Sequence, residues 1–152
     1  MSIYSTSGNE KDMLRVMVTK PREVGWAISL ELAAIALGPV AITLDWKHLN
    51  SIAPIPRLVL VQVIAISLIG YLTWKISQGT NWARITLLVL FLLGLPSFFI
   101  YLRADFARSL ALGVVMVLET LMEGAALWIL FIAPASDWFT TPTKVRLSSN
   151  PD

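Results

Sequence analysis

Four long apolar runs separated by short polar stretches organise the middle of the chain, at residues 24–44, 58–76, 83–102 and 109–133. Each approaches the roughly 20 residues that cross a hydrocarbon core as a helix. Lipid offers no partner to free backbone N–H and C=O groups, so spanning segments are helices or closed barrels. Four lone segments cannot close a barrel. The pattern therefore predicts an all-α fold: an integral membrane four-helix bundle over residues 24–139, with the runs as its spans.

The polar intervals carry charges and helix breakers. Asp45, Lys47, His48, Pro54 and Pro56 fill the first, which is long enough for a turn of surface helix. Lys75, Gly79, Asn81 and Arg84 mark the second; Arg103, Asp105 and Arg108 mark the third. The second and third are short, which predicts that helices two, three and four are antiparallel neighbours. Pro96 predicts a kink near the middle of the third span.

The flanks read differently. Residues 1–23 form a cytoplasmic tail in which Met13, Leu14, Met17 and Val18 alternate with Lys11, Arg15 and Lys20. That spacing suits a short amphipathic helix on the membrane surface, and a basic tail without structure reads equally well. This stretch is polar and mixed in charge, unlike a cleavable signal peptide, so the first span reads as a retained anchor. Residues 140–152 are polar and proline-containing, and predict a disordered cytoplasmic tail.

Orientation follows from Lys/Arg asymmetry. With both ends inside, Lys11, Arg15, Lys20, Arg22, Lys75, Arg84, Lys144 and Arg146 are cytoplasmic, against Lys47, Arg57, Arg103 and Arg108 outside. Eight against four predicts an N-in, C-in topology. Trp26, Trp46, Trp74, Trp82 and Trp138 fall at predicted helix ends, where interfacial anchors sit; Trp128 alone lies within a span.

Composition removes function classes. Only 14% of residues are charged and 56% are hydrophobic, against about 25% charged in soluble domains. A net charge of +2, with no basic stripe, argues against nucleic acid as a partner. The absence of cysteine excludes disulfides, thiolate catalysis and Cys-ligated zinc. His48 is the only histidine, and an exposed loop histidine beside Asp45 is more often solvated than a ligand or pH sensor. No phosphate loop, hydrolytic triad or metalloprotease string is present. The reading is non-enzymatic, with no cofactor and no metal.

The hairpin string Gly79-Thr80-Asn81-Trp82-Ala83-Arg84 and the later pair Trp138-Phe139 resemble a group of uncharacterised bacterial four-helix inner-membrane proteins. These have a G-x-N-W-A-R string before the third helix. The resemblance covers about residues 58–139. It implies the fold and a bacterial cytoplasmic (inner) membrane location, and carries no activity. Read physically, Gly79 and Asn81 make the turn and Trp82 anchors at the interface. Arg84 snorkels to phosphates or caps a neighbouring helix.

Three acids lie inside predicted spans: Glu31, Glu119 and Glu123. Charge at a helix centre costs about 2.5–3.5 kcal/mol on insertion scales and is usually turned inward. Glu119 and Glu123 are four apart and share one helix face. Antiparallel packing of the first and fourth spans brings Glu31 and Glu123 to similar depth, roughly 10–15 Å from one membrane face. Gln62, Ser67, Tyr71, Thr73 and Thr120 are candidate hydrogen-bonding neighbours. The trio is expected to form a buried polar cluster or an ion or proton site, with Arg84 and Lys75 as candidate counter-charges.

Glu31 in Trp26-AISL-Glu31 is similar to the single membrane glutamate of small multidrug transporters, and this chain departs from them in its two further acids. Ala34 and Gly38 form a small-xxx-small pattern that suits internal packing or a homo-oligomer face. The leading expectation is a protein that binds a membrane-protein partner, as an accessory subunit or an immunity or inhibitor protein. The alternative is a small oligomeric transporter or channel using the buried Glu residues for protons or cations.

Overall fold

The structure, a computed structural model, describes residues 20–132 and 134–140. All regular elements among them are helical: α1 (Arg22–Leu44), α2 (Trp46–Ile52), α3 (Ile55–Ser77), α4 (Asn81–Arg108), α5 (Leu110–Phe131) and α6 (Ala135–Thr140). The four long helices α1, α3, α4 and α5 are each long and apolar enough to cross a membrane. The expected amphipathic segment and the expected tail at 140–152 lie outside the described residues, except that Thr140 is helical and closes α6.

Local chemistry accounts for the helix limits. Pro21, fixed in extended backbone, precedes α1 and its carbonyl accepts from Val24 N–H. Pro54 caps α3 and Pro56 occupies its first turn, where a missing N–H costs nothing. Ser109 caps α5, its Oγ accepting from Leu112 N–H. The interval between the first two spans holds the short helix α2.

One predicted boundary is corrected. The third span does not end at 102: α4 runs on to Arg108, continuing through Pro96, and Ser109 alone joins it to α5. Arg103, Asp105 and Arg108 are therefore helical rather than loop residues. The physical reason is that no glycine or proline follows Pro96 before Gly113, and Asp105 and Arg108, three apart, pair along the helix. The other spans shift by three residues or fewer.

The helices pack in a ring, α1 on α3, α3 on α4, α4 on α5 and α5 on α1, with α1–α5 the most extensive interface. On α1 the buried positions are Val24, Ala27, Glu31, Ala34 and Ala41, a stripe of small residues interrupted by one acid. Small side chains let helix backbones approach closely in lipid, where packing rather than water exclusion drives association. Gly38 belongs to this approach: a Cβ there would lie 3.0 Å from the Gln62 amide nitrogen.

The buried core sits towards one end. Val24, Leu72, Ile76, Ala83, Leu87 and Leu130 form it, together with Ala135, Trp138 and Phe139 from α6, which folds under the bundle. Outside the core, Leu60, Leu93, Ile100 and Trp128 are among many large apolar side chains left exposed. An exterior of this kind suits lipid. The chain is thus a multi-pass membrane bundle with one closed end, bearing the α3–α4 hairpin and α6, and one open end, bearing α2 and the α4–α5 corner.

Candidate intramembrane carboxylate site

The closed end is held by the string around Arg84. Gly79 adopts φ 76°, the left-handed conformation that favours glycine. Its N–H donates to the Ile76 carbonyl and Thr80 N–H to the Lys75 carbonyl, the bonding pattern of a Schellman helix end. Thr80 Oγ1 also donates to the Lys75 carbonyl, at 2.7 Å. One turn later Arg84 is buried. Its Nε donates to Asn81 Oδ1 at 2.6 Å and its Nη1 to the Leu130 carbonyl at 2.9 Å.

The Leu130 carbonyl is among the last four of α5, which have no partner within the helix. Arg84 therefore caps a neighbouring helix, with its guanidinium 4.8 Å from the Phe131 ring and 4.6 Å from Phe139. Both contacts fall in the range of cation–π attraction.

This arrangement corrects two expectations. Arg84 is not the counter-charge of the buried acids, because its donors are directed to Asn81 and Leu130. Lys75 is not either: its ammonium donates to Gln78 Oε1 at 3.3 Å and lies 4.8 Å from the exposed Trp74 ring. Trp138, expected as an interfacial anchor, is buried in the core edge-on to Phe139, because α6 tucks beneath α5. Trp26, Trp46, Trp74 and Trp82 are exposed at helix ends.

Above this floor lies a cavity of about 360 Å³ between α4, α5 and α1. Glu31, Glu119 and Glu123 all line it. A second cavity, about 270 Å³ between α1, α3 and α5, shares Glu119 and Glu123 with the first and adds Gln62. The α5 acids thus stand in a wall reached from both sides. Glu31 is 2% exposed and its Oε1 has no hydrogen-bond partner. A buried polar atom left so costs about 1–3 kcal/mol.

The expected hydrogen-bonding neighbours supply little. Thr73 and Thr120 donate to carbonyls of their own helices, Ile69 and Met116. Tyr71 is exposed against Trp74 and Trp82, and Ser67 is exposed. Gln62 reaches the second cavity.

Reading by residue type alone missed a fourth acid. Asp105, expected in a loop, is buried on the last turns of α4 and lines the first cavity. Unlike Glu31 it is partnered: Arg108 binds it, and Arg108 Nε also reaches Asp45 Oδ1 at 3.2 Å. The Asp105/Arg108 spacing in a stretch without helix breakers was the available signal. Among the described residues, no three His, Cys, Asp or Glu side chains converge closely enough to hold one metal ion.

No protein family, curated protein or solved structure matches this chain.

Proposed function

We propose that the bundle binds protons or small cations within the membrane, as the protomer of a small oligomeric transporter or channel. The observation that carries this reading is the cavity lined by Glu31, Glu119 and Glu123, with Glu31 Oε1 buried and unpartnered. Ionisable groups at membrane depth that face the bundle interior or a cavity mark ion or proton pathways. The two cations nearest in sequence logic, Arg84 and Lys75, are engaged elsewhere. A proton or a cation entering the cavity would supply the positive charge that Arg84 and Lys75 direct elsewhere.

The rival reading is an accessory, immunity or inhibitor subunit that presents the acids to a membrane-protein partner. Burial weighs against it, because Glu31 lies inside the bundle rather than on its lipid-facing exterior. The protein is read as non-enzymatic, and its site as a bacterial cytoplasmic membrane with both ends inside. The charge asymmetry supports that orientation through Lys11, Arg15, Lys144 and Arg146 in the tails.

Reconstitution tests the proposal. Liposomes containing the purified chain and an internal pH dye are given a proton gradient, with sodium, potassium or an organic amine outside. Cation-dependent proton movement is expected, and its loss in Glu119→Gln. No movement with any cation, together with co-purification of a membrane protein, would replace the proposal with the accessory-subunit reading.

A further inference from the structure

The open end holds a further cavity, of about 490 Å³, between the end of α1, α2 and the first turns of α3. Trp46, Leu49 and Ile52 of α2 line it, three residues apart and so on one helix face. Lys47, His48 and Asn50 do not line it and are exposed on the rest of α2. A helix so divided lies along a membrane surface with its apolar face turned into the bilayer. Across from it α3 contributes Leu58, Val59 and Val63.

These walls belong to the exterior of the bundle. Ile52, Val59, Val61 and Val63 are each more than half exposed. The tie from Arg108 to Asp45 holds the end of α1 to α4 and leaves this side open. The cavity is therefore a groove entered from the bilayer, at the interfacial level where Trp46 sits.

Charge narrows the occupant. Arg57 also lines the groove, and its guanidinium has no ion-pair or hydrogen-bond partner among the described residues. Residues 42–63 carry Lys47 and Arg57 against one acid, Asp45, which Arg108 already holds. A cation beside an apolar groove matches a molecule with an anionic head and a hydrocarbon body. A guanidinium can bind a phosphate through two parallel N–H donors. Gln62, which lines the groove five residues further along α3, offers an amide donor about 7 Å deeper at 1.5 Å per residue. That amide suits an ester carbonyl.

We infer that this groove seats an anionic phospholipid from the leaflet on the α2 side, its phosphate on Arg57 and one acyl chain between α2 and α3 against Leu49, Ile52 and Val59. The site is separate from the carboxylate cavity and stands whether or not that cavity binds cations. A soluble phosphate ester brings the head without the chain and leaves the apolar walls uncovered. A phosphatidylcholine brings chain and phosphate, with an ammonium whose nearest acid along the chain is already held by Arg108.

The test uses the full chain in neutral-detergent micelles and native mass spectrometry, which counts the lipids retained. Phosphatidylglycerol, phosphatidylcholine with the same acyl chains and glycerol phosphate are titrated in turn. One phosphatidylglycerol per chain is expected to bind about fivefold or more tighter than phosphatidylcholine, the difference one unpaired arginine makes near a membrane surface. Glycerol phosphate should not bind. Arg57→Met should bring phosphatidylglycerol down to the phosphatidylcholine level. Arg103→Met removes an exposed charge at the same end, outside the groove, and should change nothing.

A second variant leaves Arg57 in place. Ala53 lines the groove, so Ala53→Phe puts a ring into it and should weaken both lipids. Equal affinity of the two lipids overturns the inference. So does an equal loss in Arg57→Met and Arg103→Met, which would reduce the preference to surface charge. Glycerol phosphate bound as tightly as phosphatidylglycerol would make Arg57 an anion site without an acyl groove. Dimers in the micelle that Ala53→Phe dissolves would give the groove to a second copy of the chain. Either result overturns it too.

Discussion

At one end of the bundle Val24, Ala27, Ala83, Ala126, Leu130 and Ala135 are fully shielded by their neighbours. Towards the other end α3 presents Val59, Leu60, Val61, Val63 and Ile64 to the surroundings, and its buried residues are confined to Leu72, Thr73 and Ile76 near its C-terminus. Both ends are built from the same kinds of apolar side chain. What differs is the polar hardware between helices. The closed end has a helix-end cap supplied by Arg84 from α4 to α5 and a short helix folded beneath it. The open end has a tie from Arg108 to Asp45 and Asp105, which joins α4 to the end of α1 and leaves α3 outside it. In lipid, where greasy faces gain little from meeting each other, such directional bonds decide which ends close.

The largest expected effect separates two tryptophans. Trp138→Ala removes a ring buried under the closed end and should cost about 3 kcal/mol, in the range of large-to-small core changes. Trp128, on α5 but 72% exposed, should tolerate the same change within about 0.5 kcal/mol. Reversible unfolding in mixed micelles measures both. Similar costs for the two would mean that α6 does not close the bundle.

Next in size is a comparison of two arginines on α4. Arg84→Met leaves the Leu130 carbonyl without its donor and should cost about 2 kcal/mol, as for other hydrogen bonds to charged groups. Arg103→Met, on the exposed surface at the open end, should stay within about 0.5 kcal/mol. The same unfolding assay reads the pair. An Arg103 variant as damaging as the Arg84 variant would erase the contrast between the ends.

The spans were legible in the sequence because hydropathy and length are local properties, summed along one segment. Counting residues also brought Glu31 and Glu123 to one depth, since antiparallel helices share a rise per residue. The end of α4 was misjudged because Arg103, Asp105 and Arg108 look like loop residues by charge, although their spacing lets them pair along a helix. For Arg84 the sequence left three directions open, lipid phosphates, a neighbouring helix end or the buried acids, and an orphan carbonyl 46 residues away on α5 selects the second. That direction takes away the counter-charge expected for the acids, and so turns an expected internal ion pair into a candidate site.

The smallest effect probes the acids themselves, since the four that line the cavity include one bound by an arginine, Asp105, and one with an unpartnered oxygen, Glu31. Asp105 is bound by Arg108, so Asp105→Asn removes an attraction and should cost about 1 kcal/mol, the ion pair being partly open to its surroundings. Glu31 has no donor at Oε1, so Glu31→Gln breaks no hydrogen bond at that oxygen. It also relieves the burden of holding an acid among small apolar residues, and should leave stability unchanged or raise it by up to about 1 kcal/mol. Opposite signs for two carboxyl-to-amide changes in one cavity are hard to obtain from packing alone, because each substitution preserves shape. They follow if Asp105 serves the fold and Glu31 is kept for a ligand. A destabilised Glu31→Gln variant in ligand-free micelles would instead make Glu31 a structural member of the α1–α5 interface, and the cavity would lose its strongest claim to be a site.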